Sequence, residues 1–167
     1  RGGFSTAAGL QLALYNNGGT ASLLLDGLMI NQVEGRPLQG GLDQVWLRVH
    51  SEAGIQSLPV SGTAAACAFH EHGAQWQQET SGIEASMQLM LHPDLPILFR
   101  VCHARNTGTQ PVAIDWLAGQ DIGLADIGML KNNEAYVCQY LDHRIVDHPI
   151  AAKVILSRNN LHPTHPF

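Results

Sequence analysis

The sequence is poor in charge: Asp, Glu, Lys and Arg together make up 14% of its 167 residues, against about 25% in an average soluble protein. What charge there is leans acidic, with 14 Asp and Glu against 9 Lys and Arg and a formal net charge of −5. A nucleic-acid binder carries a basic excess, and none is present, so no nucleic-acid partner is expected. No apolar run reaches about 18 residues, the length of a membrane-spanning helix. No signal peptide opens the chain, which begins Arg1-Gly2-Gly3 without an initiator Met, and the expectation is a piece of a longer polypeptide. Cysteine is scarce. Cys67, Cys102 and Cys138 are odd in number, widely spaced and free of any C-x-x-C pair. They are expected as buried, reduced thiols of a cytosolic protein. Also lacking are a G-x-S-x-G nucleophile elbow, an H-E-x-x-H metal helix and a glycine-rich phosphate loop of the Walker or dinucleotide type.

The chain is 45% hydrophobic, enough to bury a core. Its low charge and a mean hydropathy of −0.02 suggest a surface partly covered by another domain or subunit. Alternation with period two dominates. Ile83, Ala85, Met87, Leu89 and Leu91 point one way, while Glu84, Ser86, Gln88 and His92 point the other, which is the pattern of a half-buried antiparallel strand. Val45, Leu47 and Val49 alternate with Trp46, Arg48 and His50, and Val112, Ile114 and Trp116 alternate with Ala113 and Asp115. In residues 97–104, Phe99 and Val101 take one face and Arg100 and Cys102 the other. Asp26-Gly27 between residues 21–25 and 28–33 is a strong hairpin signal. Glu71-His72-Gly73, His92-Pro93-Asp94 and Asn106-Thr107-Gly108 mark further turns. Short strands separated by turns predict an all-β antiparallel β-sandwich with little helix, at most a short one within residues 123–134.

Residues 119–148 break the pattern. This block is dense in Asn, Gln, Asp and Tyr beside apolar side chains. Planar amides and carboxylates bind hydroxyls, and aromatic rings cover sugar faces, so the composition suits a sugar-facing loop. It equally suits a long loop packed on itself at one end of the sandwich. Asp121, Asp126, Glu134 and Asp142 could supply the paired carboxylates of a glycosidase, although spacing alone does not set their separation. His70 with His72, and His143, His148, His162 and His165 with Asp142 and Asp147, are the only groupings that invite a metal. A turn at the first, and Pro149, Pro163 and Pro166 through the second, argue against a site, and no metal is expected. Among the aromatics, Trp116 reads as core, while Tyr136 and Tyr140 are better placed for ligand contact.

The run Gln-Asp-Ile-Gly-Leu-Ala-Asp at 120–126, the run Asn-Asn-Glu-Ala-Tyr-Val-Cys-Gln-Tyr-Leu-Asp-His at 132–143, and Ser157-Arg158-Asn159-Asn160 resemble the N-terminal domain of glycoside hydrolase family 94. Within that family they look closest to 1,2-β-oligoglucan phosphorylases and the phosphorylase-like region of cyclic β-1,2-glucan synthases. Residues 26–35, 45–50 and 100–112 are similar to the same family, so the resemblance covers most of the chain. It implies a large β-sandwich of the galactose-mutarotase-like, supersandwich kind, followed elsewhere in the polypeptide by a helical linker and a catalytic (α/α)6 barrel. It implies inverting, reversible phosphorolysis of a β-glucan to glucose 1-phosphate, with inorganic phosphate as co-substrate and no other cofactor. The general acid of that family lies in the barrel, so residues 1–167 alone are expected to be inactive. The implied partners are a β-glucan oligosaccharide, the chain's own barrel and a second copy in a homo-oligomer. The implied compartment is the cytoplasm, or the cytoplasmic or periplasmic part of an inner-membrane glucan synthase. Asn132, Asn133, Glu134, Tyr140, Asp142 and His143 are the expected substrate-binding residues. Arg158 would position an anion or carboxylate, or make a structural ion pair. A structural or dimerisation domain without ligand contact is the alternative.

Overall fold

The computed structural model describes residues 2–161 apart from Leu42 and Ser81; His162 and His165 lie outside the described residues. Its strands are β1 (Gly2–Ser5), β2 (Leu10–Leu14), β3 (Thr20–Leu25), β4 (Leu28–Met29), β5 (Gln44–Ser51), β6 (Gly54–Pro59), β7 (Ala66–His70), β8 (Gly73–Thr80), β9 (Ile83–Leu91), β10 (Leu98–Asn106), β11 (Ala113–Gly119) and β12 (Ala125–Asp126). A helix, α1 (Ile127–Val137), and a 3-10 turn (Cys138–Tyr140) lead to the hairpin of β13 (Leu141–His148) and β14 (Ala152–Asn159). The strands form sheets ordered β1-β2-β3-β4-β12, β10-β9-β8-β7, β11-β5-β6 and β13-β14, with antiparallel pairing throughout. The chain is an all-β sandwich.

Alternation builds the interior. All five apolar side chains named on β9 are buried, and they meet Leu10, Leu12 and Leu14 from β2, Val45 and Leu47 from β5 and Trp76 from β8 in one cluster. At Asp26 and Gly27 φ is positive at both residues (48° and 84°), the backbone of a two-residue primed turn whose twist suits a hairpin. Gly73 opens β8 where a Cβ would lie 1.9 Å from the Leu89 carbonyl oxygen, so only glycine lets β8 and β9 approach there.

Five expectations need correction. The strand expected over residues 28–33 pairs only at Leu28–Met29. Beyond it the Asn31 side chain takes over, its Oδ1 accepting from the Leu23 N–H at 2.8 Å and its amide donating to the Val33 carbonyl, so local side-chain bonds replace the ladder. Residues 119–148 are not a loop: they comprise the end of β11, then β12, α1, the 3-10 turn and β13. The helix also runs three residues past the expected limit, to Val137. It is held by a second, smaller apolar cluster in which Leu130 and Val137 pack with Met29 and Ala125. Trp116 packs on the main core as expected, but Ile114 and Val112 remain 40% and 37% exposed. The three thiols are free and only half-buried.

Leu47 is fully buried at the meeting of the sheets, whereas Leu38 is 88% exposed in a turn. Leu47→Ala should cost about 2–5 kcal/mol through lost burial and a residual cavity. Leu38→Ala should stay within about 0.5 kcal/mol. Urea unfolding of both variants checks this, and equal losses would contradict the core placement.

Candidate functional site

The polar block is fastened to the first sheet by a partly buried carboxylate. Asp121 follows β11, and its Oδ2 accepts from the Val33 N–H at 2.8 Å. Its Oδ1 is buried without a partner. Burial raises the Asp121 carboxyl above the ordinary aspartate value, against the backbone N–H groups of Val33, of Asp121 itself and of Gln32, while nearby Asp43 adds to the rise. Two residues on, the N–H groups of Gly123 and Leu124 donate to the Ile30 carbonyl at 2.8 and 3.4 Å. A Cβ at Gly123 would sit 2.8 Å from the Gln32 Cα, so a glycine is required where the two segments touch.

Asp126 then caps α1. Its Oδ1 accepts from the Gly128 and Met129 N–H groups at 2.7 and 3.3 Å, satisfying two of the donors a helix start leaves open. The helix kinks at Asn133, whose backbone leaves helical geometry (φ −155°, ψ 59°). Lys131 pairs with Glu34 at 3.0 Å, and Glu134 Oε1 accepts from Gln32 Nε2 at 3.5 Å. The Tyr140 hydroxyl donates to that of Tyr136 at 2.8 Å, with the rings edge to face at 5.1 Å. That hydrogen bond raises the Tyr140 phenol above its ordinary value. On the hairpin, Asp142 lies 3.3 Å from Arg144 and 3.4 Å from Arg158, so Arg158 makes the structural ion pair. His143 Nδ1 meets Ser157 Oγ at 2.8 Å.

The six expected site residues thus fall into three places. Asn132, Asn133 and Glu134 are exposed on α1, Tyr140 is half-buried on the 3-10 turn, and Asp142 and His143 are successive residues of β13. Successive strand residues face opposite sides, so one face of the hairpin does not present both. The four carboxylates expected as a possible catalytic pair are each engaged locally: Asp121 with Val33, Asp126 at the cap, Glu134 with Gln32 and Asp142 with two arginines. Among the described residues, no group of three or more His, Cys, Asp or Glu side chains gathers as a metal site would need.

Sequence reading missed three polar arrangements. Arg48 grips Asp115 through two hydrogen bonds of 2.6 and 2.8 Å, with His50 Nε2 at 3.0 Å from the same carboxylate. The Arg48 hydrogen bond leads in holding Asp115 below its ordinary value. Arg100 joins Asp43 at 2.7 Å, where the two side chains are only 23% and 8% exposed, and also donates to Gln120 at 3.3 Å. The third is an open groove of about 480 Å³ across β8, β9 and β10, lined among others by Gln77, Glu79, Glu84, Ser86, His103 and Arg105. The polar positions of β9 were visible as an alternation, but their neighbours on β8 and β10 depend on strand register.

Residues 13–167 match the family model described as the SOGP N-terminal domain. The 1,2-beta-oligoglucan phosphorylase of Listeria innocua serovar 6a is 30% identical over 140 residues, which are 84% of this chain and 12% of that protein. The chain therefore spans a small fraction of the length of the curated relative it matches.

The two perturbed aspartates carry opposite pH signatures. The folded Asp121 holds its proton to higher pH than an unfolded aspartate, so its ionisation opposes folding. That cost is absent in acid and sets in as pH rises from the ordinary aspartate value through the raised folded one. D121N keeps an oxygen for Val33 and removes the charge. Its stability relative to the parent should rise with pH across that window and then level. For Asp115, lowered in the fold, the stabilisation is present above the ordinary value and lost as pH falls through the depressed one. D115N should therefore be the less stable protein at neutral pH and approach the parent in acid. Urea unfolding across pH checks both, and a flat difference for either variant would contradict its assignment.

Proposed function

The chain belongs to the SOGP N-terminal domain family, and from that membership we propose that it is the non-catalytic β-sandwich domain of a β-glucan phosphorylase, supporting and positioning the glucan. In this reading the whole protein cleaves a β-1,2-glucan with inorganic phosphate, releases glucose 1-phosphate with inversion, and carries its general acid in a separate (α/α)6 barrel. Similarity to the Listeria phosphorylase supports the enzyme class. The observation that carries the non-catalytic role is the engagement of Asp121, Asp126, Glu134 and Asp142 in local structural contacts. A general acid needs a carboxyl free to deliver its proton to the leaving oxygen, and a hydrolytic pair would need a second one free to activate water.

Asn132, Asn133, Glu134, Tyr140, Asp142 and His143 are proposed to line or brace the sugar cleft against the barrel. Asn132, Asn133, Glu134 and His143 are exposed and Tyr140 and Asp142 half-buried, and their amide, carboxylate, phenol and imidazole groups are of the kinds that hydrogen-bond sugar hydroxyls. A structural or dimerisation role is the second reading. It is favoured by the β13-β14 hairpin, which pairs with no other described strand and leaves the cross-strand pair Ile145 and Ile155 71% and 69% exposed. An isolated two-stranded hairpin is marginal in water, so a covering surface would stabilise it.

No helix among the described residues is long and apolar enough to cross a membrane. The 167-residue chain alone is expected to release no glucose 1-phosphate from β-1,2-glucan and phosphate; measurable release would overturn the non-catalytic reading. In the whole phosphorylase, Tyr140→Ala and Asp142→Ala separate the two roles. Loss of a direct sugar contact should cost about 1–3 kcal/mol, seen as a roughly five- to 150-fold drop in kcat/KM. A bracing role should lower Tm and leave the kinetics of folded enzyme nearly intact. No change in either quantity at either residue would remove the block from the site.

A further inference from the structure

We propose that the outward face of the β7–β10 sheet binds a neutral oligosaccharide. The inference rests on the carbohydrate reading above but assigns a surface separate from the residue 132–143 block. Register sets side chains of three strands in rows. Glu79, Glu84 and Arg105 form the first row, Gln77, Ser86 and His103 the second, Gln75, Gln88 and Val101 the third, and Gly73, Met90 and Phe99 the fourth. Rows follow at about 6.6 Å, two strand residues apart. The first two rows line the groove of about 480 Å³, within the range of small-molecule sites.

The chemistry of the rows selects the ligand class. Arg105 holds Glu84 through contacts of 2.6 and 2.7 Å, so that pair is neutral. Glu79, directly opposite Glu84, is exposed and makes no ion pair among the described residues. Like charges placed opposite one another repel, and the groove keeps one unbalanced carboxylate. That carboxylate works against an anionic ligand such as phosphate or nucleic acid. A metal is disfavoured too, because no cluster of three ligating side chains forms among the described residues. What remains is a set of hydrogen-bonding groups: the Gln77 amide, the Ser86 hydroxyl and the His103 ring, beside the Glu79 carboxylate as an acceptor. Vicinal hydroxyls of a sugar satisfy such a set. At the other end of the strip, Phe99 and Met90 are 43% and 38% exposed, an apolar surface for the C–H face of a pyranose ring. Polar rows followed by an apolar row match an amphipathic sugar chain better than a uniformly apolar peptide segment.

The test is a heteronuclear NMR titration of this chain with β-1,2-linked gluco-oligosaccharides, with inorganic phosphate as the anion control. Supporting results are saturable amide shifts centred on Gln77, Ser86 and His103, no such shifts with phosphate, and about fivefold weaker binding in both Q77A and H103A. Both substitutions are at exposed positions, and an unchanged spectrum elsewhere confirms that each variant is folded. A variant that loses its fold is replaced by S86A, read in the same way. Three results overturn the proposal: no shifts on β8–β10, shifts confined to residues 127–143, or unaltered affinity in the folded variants. Shifts confined to residues 127–143 would leave the proposed function standing. Loss of that function would show instead in the phosphorolysis kinetics of the Tyr140 and Asp142 variants.

Discussion

Leu12, Leu14, Leu47, Trp76, Met87 and Leu89 come from three different sheets, and each is at most 2% exposed. Their shared burial is the constraint on which the other features depend. Side chains alternate along a strand, so a slip of one residue in β5, β8 or β9 would carry the whole apolar set to solvent. The register is therefore fixed from inside. Fixing it places the outward rows without any outward interaction having to specify them. Arg48 meets Asp115, and Ser86 lies between Gln77 and His103, because Leu47 and Met87 are held between the sheets.

A second layer of organisation is polar. The segment after β11 could leave the sandwich in many directions. Asp121 ties it to Val33, and the Ile30 carbonyl receives two further N–H groups. An ionised carboxylate in a partly dry site is costly, which is why the burial of Asp121 raises its proton affinity. The connection is strong because removing either partner leaves a buried polar group unpaired. From that tie the chain enters the Asp126 cap at a set angle, and the positions of α1 and the hairpin follow.

How much was legible varied with the strength of the local pattern. β5 and β9 were readable because five to nine residues alternate without interruption, and the Asp26-Gly27 turn because both of its residues adopt positive φ. The block containing α1 was not. Only Leu130 and Val137 of the helix are buried, too few to print a helical apolar period on the sequence. Asp126 caps without the Glu or Gln three residues later that completes a capping box. Arg100 and Cys102 were correctly placed together on one face of β10, but the partner Asp43 lies 57 residues away in sequence, and local periodicity carries no such information. The family of the chain was readable from the block that pattern analysis described least well, because residue identities survive where simple periodicity does not.

The pairing of β11 with β5 has a consequence for how the chain reaches this state. Between them lie β6 and the whole β7–β10 meander, about sixty residues that must be looped out before Ala113 can meet His50. The meander is built only from neighbouring hairpins, with short closures at each turn. Local closures form faster than distant ones, so the four-stranded sheet is expected to assemble first and shorten the effective span that β11 has to cross. The docking of β11, and with it the burial of Trp116, comes later, as does the still longer-range pairing of β12 with β4. Pulse-labelled hydrogen exchange reads that order directly, as protection of β8 and β9 amides before those of β11. A sandwich arranged this way gains the β5–β11 pairing by capture of a returning strand onto a preformed half, and the time spent waiting for that strand is when the β5 edge stands open.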